Sequence, residues 1–168
     1  MTLARINALD RAAFVAALGG VFEHSPWIAD ATWDRRPFAG VDALHAAMVA
    51  VMREGGEAKQ LALLCAHPEL AGKAMVRREL TAESTGEQTG AGLAQCSPEE
   101  FARLTDFNAR YHAKFGFPFI LAVKGLDRAG ILREFARRVE NDRAAEFAEC
   151  LGQVAKIARF RLDALVAG

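Results

Sequence analysis

The stretch Ser97–Phe115 leaves this chain little choice of fold class. Ser97 is a capping residue, Pro98 suits the first helical position, and Glu100 stands where the carboxylate of a capping box belongs. Phe101, Leu104, Asn108, Tyr111 and Phe115 follow at spacings of three and four, the period that puts side chains on one face of an α-helix. Gly116 supplies a stop. The same grammar recurs elsewhere. Asp42 can cap a helix through Met52 that closes at Gly55-Gly56, and residues near 58–66 make a short apolar helix stopped by Pro68. Asp127 can cap a helix carrying Leu132, Phe135 and Val139, and a last helix runs from about Arg143 to Val166. Leu9–Leu18 reads as helical too. Strand signals are few: the apolar segment Phe117–Val123 contains Pro118 and can be extended. The reading is all-α, a single-domain compact bundle of roughly seven to nine helices spanning residues 1–168.

Composition narrows the partners. With 168 residues and 52% hydrophobic content, the chain can bury a real core. Lys+Arg and Asp+Glu are 21 each, so neither a basic nucleic-acid footprint nor a polybasic membrane binder is supported. No run approaches the roughly 18 apolar residues of a membrane helix. Cys65, Cys96 and Cys150 are odd in number, far apart and without a C-x-x-C, which argues against a disulfide framework and suits a reducing cytoplasm. The opening Met1–Asn7 has polar and charged residues too early for a signal peptide, and the ending Val166-Ala167-Gly168 is not a peroxisomal address.

Three polar features exceed what a plain helical domain needs. Pro68 pushes His67 out of helical conformation at a helix end, and the apolar run Leu61–Ala66 carries it into buried surroundings. His67 either caps the last carbonyls of that helix or does chemistry. Ser84-x-x-Glu87 fits a capping box. Against that reading, Gly86, Gly90 and Gly92 weaken a helix, and Gln88 adds an amide with no evident structural task. Glycines near a helix N-terminus also let a ligand reach backbone N–H groups. Arg161 lies on the apolar stripe Phe147, Leu151, Val154, Ala158, Leu165 of the last helix. A guanidinium there needs a partner, either an internal carboxylate or a bound anionic substrate.

Other chemistries find less support. His24, His45, His67 and His112 lack zinc-site spacing, and Gly-x-Ser-x-Gly is absent. Cys65 reads as core packing rather than a nucleophile, and Trp27 and Trp33 as packing of the N-terminal region.

These residues resemble the OHCU decarboxylase family (2-oxo-4-hydroxy-4-carboxy-5-ureidoimidazoline decarboxylase) of uric acid degradation. The matching stretches are Glu23-His-Ser-Pro-Trp27, Arg36-Pro-Phe38, Gln60 to Pro68, Leu80 to Gln88, Ala91-Gly-Leu93, Phe115 to Lys124, and Val154…Ile157…Arg161-Leu162. Their order and spacing cover nearly the whole chain. Cys150 and Phe107 are departures, standing where a small residue and a leucine are usual. The resemblance implies an all-α, cofactor-free decarboxylase, a homodimer and a small anionic substrate. It assigns catalysis to His67 with Glu87 and Gln88. It assigns substrate binding to Pro68, to Ser84, Thr85, Gly86, Glu87 and Gln88, to Phe119, Ile120, Leu121, Ala122 and Val123, and to Arg161. The rival classes are a non-catalytic helical module that binds a small ureido anion, and a metal- or nucleophile-dependent hydrolase of ureido compounds.

Overall fold

In the computed structural model, which describes residues 1–70 and 81–166 (the side chain of Ala94 aside), the capping box at Ser97 is formed. Glu100 N donates to Ser97 Oγ at 3.2 Å, and Ser97 N donates to Glu100 Oε2 at 3.0 Å. The helix ends at Gly116, whose φ of 79° is the left-handed conformation that glycine adopts without penalty. Replacing Ser97 with alanine is expected to cost about 0.5–2 kcal/mol of stability, read by urea unfolding. Acid should weaken the same cap. The backbone hydrogen bond at Ser97, assisted by Arg128, holds the Glu100 carboxyl below its usual range. Its contribution is therefore present above the ordinary carboxylate pKa of about 4.3 and is lost as pH falls through the depressed value.

Among the described residues all regular structure is helical. The α-helices are α1 (Leu3–Ala8), α2 (Arg11–Leu18), α3 (Pro26–Thr32), α4 (Val41–Glu54), α5 (Glu57–Ala66), α6 (Ala82–Gly90), α7 (Pro98–Phe115), α8 (Arg128–Arg138) and α9 (Arg143–Leu165), with short 3-10 turns at Trp33–Arg35 and Leu93–Gln95. None of them is long and apolar enough to cross a membrane. The chain divides into two compact units, one of Met1–Ala66 with the chain from Val154 onward, the other of His67–Gln153.

The first unit packs Ile6, Phe14, Leu18, Phe22, Ile28, Leu44 and Met48 into its core. Arg36 binds its N-terminal turn by donating to Asn7 O at 2.7 Å and Leu9 O at 2.8 Å. The Arg11 and Arg36 guanidinium groups lie over the half-buried Trp33 ring, 4.7 and 4.0 Å from its centroid, and its Nε1 donates to Leu9 O. In the second unit Leu104, Tyr111, Phe115, Phe117, Phe119, Ile131 and Phe135 are buried. Tyr111 meets Phe119 edge-on at 5.2 Å between centroids.

Several local expectations are corrected. Leu9–Leu18 is not one helix: Leu9 and Asp10 are extended, and the Asp10 carboxylate caps α2 by accepting from Ala13 N at 2.8 Å. Asp42 does not cap α4. That helix begins one residue earlier with Gly40 at the cap position, and Asp42 in its first turn pairs with Arg159. Phe101 and Leu165 complete their sequence stripes but are exposed, because the stripes drift off the buried faces at the helix ends. Phe117–Val123, read as a segment that can be extended, needs no such correction: it lies in no helix and forms no strand.

Candidate active site

His67 follows directly on α5 and is 8% exposed. Pro68 keeps it from continuing the helix, so the carbonyls of the next residues need partners outside one. Two buried amides supply them. Gln88 Nε2 donates to Glu69 O at 3.2 Å, and Asn108 Nδ2 donates to Leu70 O at 2.9 Å. The strap that carries the imidazole is thus fastened to α6 and α7, each bond contributing about 0.5–1.5 kcal/mol net. Gln88 has the structural task that the sequence did not suggest. Asn108 Oδ1 is buried and, among the described residues, accepts no hydrogen bond.

On α6 the capping reading moves by one turn. Thr81 is the N-cap, its side chain accepting from Ser84 N at 3.2 Å. Ser84 therefore stands inside the helix and is not the cap of a Ser84–Glu87 box. Ser84 and Gln88, one turn apart on the same face, are both buried, and Glu87 beside them is half-buried. Thr85 and Gly86 point outward, with open space where a Cβ would stand on Gly86.

The third piece is the 117–123 segment. Phe119, Ile120, Leu121 and Val123 are buried and Ala122 is half-buried. Side chains of α8 and α9 take up its backbone. Arg138 Nη1 donates to Ile120 O at 2.7 Å, and Ala122 N donates to Gln153 Oε1 at 3.0 Å. Arg138 in turn pairs with Glu146, both fully buried, with Nε to Oε1 at 2.7 Å. Tyr111 Oη also donates to Glu146, Asn141 Nδ2 donates to its Oε2 at 2.8 Å, and Cys150 Sγ lies 3.2 Å from both Tyr111 Oη and Arg138 Nη2. Burial pushes the Tyr111 hydroxyl and the Cys150 thiol up. Burial alone would lower Arg138, but its hydrogen bonds to Glu146 together with the charges of Cys150, Glu146 and Tyr111 outweigh that and hold it charged. None of Asn108, Arg138, Glu146 or Gln153 was singled out as functional from sequence. Asn108 was visible as a polar break in the α7 stripe; Arg138, Glu146 and Gln153 looked like ordinary polar helix residues.

Arg161 belongs to the other unit. Its Nη2 pairs with Glu23 at 2.7 Å and its Nη1 donates to Gly20 O at 3.2 Å, with both side chains buried. Of the two partners weighed from sequence, the internal carboxylate is the one found. His24, next to Glu23, has a φ of 48°, an uncommon conformation for a non-glycine residue. Cys65 is exposed and so does not pack the core. Among the described residues no group of three or more His, Cys, Asp or Glu side chains gathers as a metal site.

A buried imidazole on a strap fastened by amides to α6 and α7 is the candidate site of a helical protein. The chain belongs to the OHCU decarboxylase family, whose profile matches residues 7–163, and it is a decarboxylase. The 2-oxo-4-hydroxy-4-carboxy-5-ureidoimidazoline decarboxylase of Bos taurus is 40% identical over 166 residues, 99% of this chain and 98% of that protein. The uric acid degradation bifunctional protein PucL of Bacillus subtilis is 35% identical over 98% of this chain, which spans 33% of that longer protein. The crystal structure of (S)-allantoin synthase superposes with a TM-score of 0.80 at 29% identity, over 99% of this chain and 54% of the other.

Proposed function

We propose that the chain converts 2-oxo-4-hydroxy-4-carboxy-5-ureidoimidazoline to (S)-allantoin and CO2 in urate degradation, without a cofactor, and that His67 moves the proton. The observation that carries this reading is the buried His67 on a strap held at Glu69 and Leu70. An imidazole has an ordinary pKa of about 6.5, so it can take and give a proton near neutral pH.

The substrate carries a carboxylate and a hydroxyl on one ring carbon, next to a ring C=N. When the bond to the carboxylate breaks, its electron pair forms a C=C bond and the C=N pair moves onto nitrogen. The ring nitrogen takes up a proton, the hydroxyl gives up its own to become a carbonyl, and the ring carbon bearing the ureido group takes a proton on one face. The net change is uptake of one proton and release of CO2. The substrate is its own electron sink, the task that cofactors perform in other decarboxylases.

In this scheme Glu87 orients His67 or polarises the substrate hydroxyl. Gln88, which also holds the strap at Glu69, meets the ureido group, whose donors and acceptor an amide can match. Pro68, the 84–88 stretch and the 119–123 segment line the pocket. Arg161, paired with Glu23, holds an anionic group of the substrate, the role that the family resemblance gives it. A grip on the departing carboxylate that lasted into the transition state would not speed the reaction. The reading includes one functional domain, supported by a family match that runs through both units. It also includes a homodimer, which the family resemblance supports, and a cytoplasmic setting, which suits the cysteine usage.

The test generates the unstable substrate in situ from urate and follows optical activity and CO2. Added protein is expected to accelerate both together. Racemic allantoin at the spontaneous rate would overturn the proposal, saturable binding without turnover would indicate a binding module, and ammonia release would indicate a hydrolase.

A further inference from the structure

The 119–123 segment gets its backbone partners from side chains rather than from a strand. Glu146, Cys150 and Gln153 recur at spacings of four and three along one face of α9, all buried, and Arg138 meets them from the end of α8. Arg138 takes Ile120 O and Gln153 takes Ala122 N. Gln153 is itself fixed, donating from Nε2 to Glu149 Oε1 at 2.7 Å. In extended backbone the polar groups of residues i and i+2 face one edge and those of i+1 face the other. Ile120 and Ala122 both turn toward the helices, which directs the N–H and C=O of Leu121 the opposite way. Among the described residues neither Leu121 group makes a hydrogen bond, although Leu121 is only 6% exposed. Buried backbone groups are nearly always paired, and a ureido compound brings both a donor and an acceptor.

We propose that Gln153, with the buried Arg138–Glu146 pair, is a positioning residue for the decarboxylation: it locks one edge of the 119–123 backbone so that the Leu121 edge is presented to the substrate. This rests on the reading that the 119–123 segment lines the pocket. Gln153 touches no reacting atom. Its effect is to set the angle at which substrate is held and therefore which face of the ring carbon is protonated.

The test uses kcat/KM and the enantiomeric purity of the allantoin formed. Gln153→Leu removes the acceptor of Ala122 N and is expected to lower kcat/KM about 10- to 100-fold and to reduce enantiomeric purity. The double variant Glu149→Gln/Gln153→Glu exchanges the two groups. The new carboxylate accepts from Ala122 N and from the new amide, so both readouts should recover; a merely structural defect would not be rescued in this way. Should Gln153→Leu fail to fold, Glu149→Ala loosens Gln153 from its outer end and is expected to move both readouts in the same direction by less. Ala122→Val, which narrows the segment's own surface, tests the lining reading and is expected to raise KM. A folded Gln153→Leu (or Glu149→Ala) with unchanged kcat/KM and purity, while Ala122→Val raises KM, overturns the positioning role alone. An unrescued loss overturns it too. An Ala122→Val enzyme with unchanged KM overturns the lining reading and the positioning role together.

Discussion

His67→Asn is expected to lower kcat by about 10²–10⁴-fold, the usual worth of a positioned proton-transfer group. The allantoin that still forms should approach a racemate, because protonation would pass to solvent. Fold should persist, since the strap is held through main-chain carbonyls. Gln88 and Asn108 donate to Glu69 O and Leu70 O, main-chain groups that the substitution leaves in place. The variant therefore separates chemistry from architecture: circular dichroism and the unfolding midpoint should match the parent while turnover collapses. Gln88→Leu would not separate them, because it also deprives the Glu69 carbonyl of its donor. Full stereospecific turnover by His67→Asn would remove His67 from the mechanism.

Local signals carried the fold where one residue decided the outcome. The Ser97–Glu100 box, the Asp127 cap, which accepts from Gly130 N at 2.7 Å, and the stop at Gly116 were all legible because each is satisfied within a single turn. Competing caps were not. Thr81 and Ser84 are both capable, and only the path of the chain decides that Thr81 takes the position. Leu9 ends one helix and Asp10 starts another within what looks like a single apolar period. The candidate site was legible as far as its side chains break the apolar pattern. His67 before a proline, Gln88 on a glycine-weakened helix and Arg161 on an apolar stripe are such breaks, and all three are buried. What those side chains bind could not be read, because Gln88 to Glu69, Asn108 to Leu70 and Arg161 to Glu23 join residues far apart in sequence. Buried polar groups that sit among other polar residues, such as Arg138 and Gln153, left no trace in hydrophobic periodicity.

The largest loss of stability is expected at Arg138. Arg138→Met leaves the Glu146 carboxylate fully buried with Tyr111 and Asn141 as neutral donors but no cation. Breaking a buried pair from one side costs about 3–5 kcal/mol, so urea unfolding should show a marginal protein. Adding Glu146→Leu removes the stranded charge and should return much of the loss, giving a strongly non-additive cycle. Activity should not return with it. The double variant still leaves Ile120 O without the Arg138 donor, so a stable protein with poor kcat/KM separates what the pair does for the fold from what it does for the 119–123 segment. A double variant as active as the parent would assign Arg138 and Glu146 to stability alone.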